Sequence, residues 1–235
     1  ASIGVCAPGL AARDGRSIAH MPRRLSGLQE IDWTSVLGRS EIVPVLNDAH
    51  AALLGEAWIG AARGRQHVVM LTLGTGVGGA VISDGRLLRG AIGRAGHLGH
   101  VCLDPEGKPS IAGMPGAIEM MMGDCTVAER TDGRFTSTDA LVAAHRVGDA
   151  DATRVWLRSV RALACAIGSY INLFDPEAIV IGGGIAQAGD TLFTPLGREL
   201  ERVEWRPGGH RVPLVPAALG EWAGAIGAAR NSLSS

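Results

Sequence analysis

Leu71-Thr72-Leu73-Gly74-Thr75-Gly76-Val77-Gly78-Gly79-Ala80-Val81-Ile82 is a hydrophobic strand that runs into a glycine turn and out into a second strand. Val68 to Leu71 and Leu73 form the apolar run of a strand buried on both faces, and Gly78 to Ile82 resumes it after a break too short for a helix. The stretch predicts a β-hairpin with a glycine tip. Four glycines within six residues remove the Cβ atoms that would hold a ligand away from the backbone, and Thr75 adds a hydroxyl at the apex. Amide N–H groups can then converge on an anion, with phosphate the natural candidate. An ordinary glycine-rich hairpin turn fits the same residues.

Upstream, Ser2 to Gly9 predicts a strand followed by a Pro8-Gly9 turn, with no preceding element to pair with. Arg13 to Arg16 is a second turn, Ile31 to Leu37 a short capped helix, and Glu41 to Leu46 another strand. Asn47-Asp48 then leads into a strong helix former, Ala49 to Trp58. A carboxylate at such a strand-to-helix junction is placed to take a proton from a hydroxyl. Both residues are also favoured helix N-caps, and local sequence does not separate the two roles.

Downstream, Asp84-Gly85 makes a tight turn, and a glycine-punctuated loop from Gly90 ends in His97-Leu98-Gly99-His100. Two histidines three apart with Cys102 beyond them suggest a metal, but no fourth ligand is evident. Lys108 to Ala117 reads as loop, and Met120 to Met122 as core or gap filling. Asp149 to Asp175 carries Val160, Leu163, Ala164, Ile167 and Ile171 at helical spacing, so one face packs inward. Ala178 to Ile181 predicts a buried strand, and Gly182-Gly183-Gly184 leads into a helix carrying Leu192 and Leu200. That arrangement is a second place where a nucleotide can approach the backbone. Val212 to Val215 is a last strand, and Gly224 to Ala229 a small-residue helix suited to close packing.

Composition narrows the function classes. The 235 residues allow one large or two small domains, and a net charge of −1 with interspersed signs argues against nucleic acid as a partner. No uncharged stretch spans a bilayer, no basic segment precedes an apolar core at the N-terminus, and the four cysteines show no paired spacing. A soluble, cytoplasmic protein is expected.

Val45-Leu46-Asn47-Asp48-Ala49-His50-Ala51, Leu73 to Gly79, Ala95 to His100, Ile179 to Gly184 and Ala223 to Ala229 together resemble, in order and spacing, the ROK family of sugar kinases and sugar-responsive repressors. The resemblance implies an α/β, actin-like ATPase fold (ribonuclease H-like, hexokinase-type), two lobes with sugar and ATP in the cleft between them. Residues 1–46 would be the remnant of a small N-terminal lobe, 47–218 the large lobe, and 219–235 a terminal helix packing back. It also implies that Asp48 is the catalytic base, and that Asn47, Glu119, His97, His100, Pro8 and Gly9 serve the sugar. Gly74, Thr75, Gly76 and Gly78 would form the second phosphate loop, with Gly182, Gly183 and Gly184 on the adenosine side. ATP with Mg²⁺ is the expected cofactor and a homodimer the expected assembly.

Three departures from the family pattern bear on function. The family's opening Asp-x-Gly-Gly-Thr loop for phosphate and Mg²⁺ is expected before Ser2, so the small lobe reads as incomplete and this chain as impaired or inactive. The family's zinc loop, Cys-x-Cys-Gly-x-x-Gly-Cys-x-Glu, aligns on Ser110 to Glu119 without its cysteines, so no structural zinc is expected and other packing must hold the loop. The family's Glu-x-Gly-His becomes His97-Leu98-Gly99-His100. A neutral imidazole accepts one hydrogen bond where a carboxylate accepts several, which leaves the sugar open. The expected activity is phosphorylation of a hexose or N-acetylhexosamine. The alternative is a non-catalytic sugar-binding member or a regulator lacking its DNA-binding part.

Overall fold

The computed structural model describes residues 2–21, 25 and 27–233. Ala1, Pro22, Arg23, Arg24 and Ser26 of the expected 1–46 segment, and Ser234 and Ser235 of the expected terminal helix, lie outside them. In chain order the elements are β1 (Val5–Ala7), β2 (Leu10–Ala11), β3 (Ile18–His20), α1 (Trp33–Val36), β4 (Val45–Asn47), α2 (Asp48–Ile59), β5 (Val68–Leu73), β6 (Val77–Ser83) and β7 (Arg86–Leu87). There follow α3 (Ile118–Met122), α4 (Val127–Arg130), α5 (Thr138–Arg146), α6 (Ala150–Phe174), β8 (Ala178–Gly182), α7 (Asp190–Val203), β9 (Leu214–Pro216) and α8 (Ala223–Ser232). Strands β7-β6-β5-β8-β9 form one sheet in that order, with β8 and β9 parallel and β6 and β7 antiparallel.

The chain divides into two compact units, residues 1–70, 79–97 and 217–235 in one, 71–78 and 98–216 in the other. In the first unit β1 pairs in parallel with β4, Val5 opposite Val45, so the opening strand has the partner that its sequence neighbourhood did not offer. Ala7, Ile18, Met21 and Val45 form a small core there, with Val5, Ala11, Leu28 and Trp33 packed against it. Three strands are shorter or later than expected, β1 among them, since it starts only at Val5 and leaves out Ser2 to Gly4. Glu41 and Ile42 are exposed and Pro44 has no N–H for a ladder, so β4 starts only at Val45. The last strand is likewise shifted, to Leu214–Pro216, because the Val212 N–H goes to the Glu204 carboxylate instead.

Helices α2 and α8 pack with almost no space between backbones. A Cβ at Gly55 would lie 2.5 Å from the Ala223 carbonyl oxygen, and one at Gly227 only 1.6 Å from that of Ala51. Glu56 completes the joint: fully buried, it accepts N–H bonds from Ala218 and Leu219 at 2.9 Å each and from Ala61 at 2.6 Å. Three charge-assisted bonds offset the cost of burying that carboxylate.

In the second unit α6 runs between the caps that the sequence marks, with Asp149 accepting from the Ala152 N–H and Asp175 closing the helix in the left-handed region. Val160, Leu163, Ala164, Ile167 and Ile171 are all buried, as their spacing predicts. One expectation needs correction. Gly182 to Gly184 does not open directly into an α-helix: a 3₁₀ turn, Gly184–Ala188, comes first, and α7 starts at Asp190 after Gly189, which has no side chain to cap it. No described helix is long and apolar enough to cross a membrane.

Candidate active site

In the first unit the strand-to-helix junction separates the roles of Asn47 and Asp48. Asn47 is buried and is the N-cap of α2; its Oδ1 accepts from the Ala49 and His50 N–H groups at 3.0 and 3.2 Å. Its Nδ2 donates to the Gly9 carbonyl at 2.9 Å, which leaves one side-chain N–H for any further partner. Asp48, next along, is exposed, with only Oδ1 engaged locally, by the Ala49 N–H at 2.9 Å. Asn47 is thus the N-cap, and Asp48 is an acidic residue of the first turn whose second oxygen the cap does not engage.

Pro8 and Gly9 follow β1. Gly9 has φ 103° and a Cβ there would lie 2.6 Å from the His20 carbonyl oxygen, so the turn itself demands glycine. Its link to Asn47 is the tie that its carbonyl makes. His97 lies beside His50, ring centroids 5.4 Å apart and edge-on. His50 is buried with its Nε2 at 3.0 Å from the Ala95 carbonyl, a contact in which the ring donates. Burial, then His97, then Arg89, pull the His50 pKa down to about 4, so it is neutral at physiological pH.

The second unit gathers the glycine turn, His100, Glu119 and the triple glycine. Thr75 is exposed at the apex of the turn, and Gly74 N–H donates to Gly76 O at 3.0 Å. Glu119, buried at the start of α3, accepts the Val77 N–H on Oε2 at 3.2 Å. Thus two of the hairpin's amides bond to protein, and an anion would meet the apex between them. Gly99 packs so closely that a Cβ would fall 1.8 Å from the Val77 carbonyl oxygen, which brings the His100 turn against the hairpin base. Gly183 has φ 88° and stands the same way against Leu73, with a Cβ 2.3 Å from its carbonyl oxygen. Gly74 and Gly184 differ: neither has positive φ, and no atom of the described residues lies within 4 Å of where a Cβ would be.

The zinc expected of the family pattern does not fit these residues. Ala112 and Ala117 offer no donor at two of the cysteine positions, and among the described residues no three His, Cys, Asp or Glu side chains group to hold a metal. The loop is held by backbone instead. Cys102 bridges Ala117, the Leu103 N–H reaches Gly116 O at 2.9 Å, the Gly116 N–H reaches Lys108 O at 3.0 Å, and the Ser110 N–H reaches Met114 O at 2.9 Å. Cys102 lies in that isolated bridge, and the His97-His100-Cys102 metal reading finds no ligand group among the described residues.

Several supporting residues escaped sequence reading. Tyr170, buried on α6, donates its hydroxyl to the Leu98 carbonyl at 2.7 Å and so pins the turn that carries His100; burial pushes its pKa up. The partner of a lone tyrosine in an apolar helix face cannot be named from periodicity.

Comparison with known proteins agrees with the quoted motifs. The ROK family model matches residues 1–232. A glucokinase of Thermotoga maritima is 34% identical over 97% of this chain and 77% of its own length. An N-acetylmannosamine kinase of Escherichia coli strain SE11 is 34% identical over 92% of this chain and 74% of its own. A solved structure of a ROK family glucokinase from Streptomyces griseus, in complex with glucose and AMPPNP, matches with a TM-score of 0.84 at 26% identity, over all of this chain (100%) and 82% of that one. With a family model spanning nearly every residue, and a fold shared with that kinase, the chain belongs to the ROK family and has its α/β, actin-like ATPase fold.

Proposed function

We propose that this protein is an ATP-dependent sugar kinase that phosphorylates a hydroxyl of a hexose or N-acetylhexosamine. The observation that carries this reading is the exposed carboxylate of Asp48 beside an N-cap already filled by Asn47. The kinase names of relatives 34% identical to this chain support it.

In this reading the acceptor hydroxyl gives its proton to the free oxygen of Asp48 as its oxygen bonds the γ-phosphorus, and the bond from that phosphorus to the β-phosphate oxygen breaks to leave ADP. Such transfer depends on positioning and charge neutralisation, with little covalent work for the protein. The remaining N–H of Asn47, together with His97, His100 and Glu119, would orient the sugar, with Pro8 and Gly9 shaping its surroundings. Thr75 and Gly76 at the apex would meet phosphate, with Gly74 and Gly78 beside them. The surface over Gly184 would take the adenosine side, while Gly182 and Gly183 set the backbone there. Mg²⁺ would neutralise the phosphates when bound.

The reading is tested by coupled assay of ADP release from ATP with the full-length gene product, across hexoses and N-acetylhexosamines. Sugar-dependent turnover that Asp48→Asn abolishes supports it. Sugar binding without turnover by any of them would favour a sensor. The homodimer that the resemblance implies is checked by light scattering.

A further inference from the structure

The glycine hairpin is clamped from outside by one segment. Glu119 Oε2 accepts the Val77 N–H at 3.2 Å, the Asp124 N–H donates to Gly74 O at 2.9 Å, and the Cys125 N–H donates to Thr75 O at 2.9 Å. Gly123 presses on the same loop, with a Cβ position 3.0 Å from Thr75 O. The turn from Gly123 to Thr126 therefore sets where the hairpin apex points.

That turn is itself held by one side chain. Arg130, on α4, donates Nη2–H to Gly123 O at 3.0 Å, Nε–H to Thr126 Oγ1 at 3.0 Å and Nη1–H to Ser159 Oγ on α6 at 2.6 Å. Thr126 Oγ1 in turn donates to Gly123 O at 2.8 Å. Three acceptors on a rigid fork link the turn to the longest helix of the unit. Burial pulls the guanidinium down to about 10, which leaves it a cation at neutral pH.

We propose that Arg130 is a positioning residue for the nucleotide: it fixes the Gly123–Thr126 turn, and through that turn the direction of the Gly74–Val77 apex. The inference rests on the reading of the hairpin as the phosphate-binding loop. Lysine cannot replace the fork, because one ammonium does not reach three acceptors in fixed directions. Misplacement of a phosphate cradle by a fraction of an ångström weakens what it binds, and the three bonds that Arg130 donates go to none of the residues assigned to the sugar.

The test uses the full-length gene product and titration calorimetry with Mg·AMPPNP. Arg130→Lys and Arg130→Met are expected to weaken AMPPNP binding by about tenfold and to raise the KM for ATP in parallel, with the sugar KM within about twofold. Ser159→Ala, which removes the tether to α6 alone, is expected to give a smaller loss in the same direction, and it carries the test if the Arg130 variants do not fold. Arg134→Ala, which removes a surface ion pair with Asp149 and Asp151, is the control and should leave AMPPNP binding unchanged. Folded Arg130→Lys with a lowered Tm but wild-type AMPPNP affinity would show a purely structural role and overturn the inference. Wild-type protein that turns over no ATP and binds no AMPPNP would instead remove the hairpin reading on which it rests.

Discussion

The Asn47-Asp48 junction and the Gly74–Gly78 hairpin are both polar breaks between regular elements, yet they are held in opposite ways. The junction is built locally: Asn47 bonds the amides two and three residues ahead, and only its tie to Gly9 reaches far along the chain. The hairpin is built remotely, since Glu119, Asp124 and Cys125 supply its clamps, and Arg130 bonds the ends of the turn that carries the last two. Chemistry that depends on a side chain can sit on a local scaffold that caps itself. Chemistry that depends on backbone amides needs a second layer to aim them.

The sharpest way to break this contrast is Asp48→Asn in a full-length chain shown to be active. If Asp48 is the base, Asn keeps its shape but takes no proton, and kcat should fall by about two to four orders of magnitude, or about 2.7–5.4 kcal/mol of barrier. Because Asn47 retains the cap, Tm and sugar affinity should barely move. Near wild-type kcat would return Asp48 to a surface role.

Acid should act on the same region through His50. Its folded pKa of about 4 lies below the unfolded value near 6.5, so between those limits the unfolded chain binds the extra proton. Stability is therefore unaffected by His50 above pH 6.5 and is lost as pH falls from 6.5 towards 4, by on the order of 3 kcal/mol at most. Denaturant titrations at pH 7 and pH 4.5 should show that loss in wild type and a smaller one in His50→Gln, whose amide can still donate to Ala95 O. An equal pH dependence in both proteins would assign the loss elsewhere.

The hairpin side is sharpened by Gly74→Ala. No described atom lies within 4 Å of the new methyl and the backbone needs no positive φ, so stability should stay level or rise by less than about 1 kcal/mol. If the surface over Gly74 receives phosphate, AMPPNP binding should weaken by about tenfold, worth about 1.4 kcal/mol. Gly183→Ala is the contrast, because its Cβ would collide with the Leu73 carbonyl and the chain itself should be destabilised. A Gly74→Ala protein that binds AMPPNP as tightly as wild type would make the hairpin an ordinary turn.

What could be read from sequence follows the same division. The bounds of α6 at Asp149 and Asp175, the Asp84-Gly85 turn with both residues at positive φ, and the close packing of the small-residue stretch Gly224 to Ala229 are all local signals or small-residue patterns. So was the order of motifs that revealed the fold. Helix α5 went unread because Leu141 and Val142 are its only buried apolar residues, too few to make a period. Arg130, Tyr170, Glu56 and His50 act on carbonyls, amides or hydroxyls that are mostly distant in sequence, and no spacing rule points to them. Gly74 and Gly183 look alike in one dimension, and only the space around each separates a glycine that the chain itself requires from one that it does not.

The smallest expected effect tests how local the junction is. Serine caps helices as well as asparagine does, so Asn47→Ser should keep a bond to the first-turn amides of α2 and lose only the Nδ2–H donated to Gly9 O. A single such bond contributes about 1 kcal/mol, and Tm in chemical or thermal unfolding should fall by no more than that corresponds to. The remaining N–H of Asn47, which the proposed function gives to a sugar hydroxyl, is removed at the same time. The sugar KM should therefore rise while kcat stays nearly level, because the base beside it is intact. A loss well beyond about 1 kcal/mol would show that the tie to the Pro8-Gly9 turn organises the first unit more widely than a local scaffold would. An unchanged sugar KM would show that Asn47 serves the helix and the turn, and that the sugar is held by other residues.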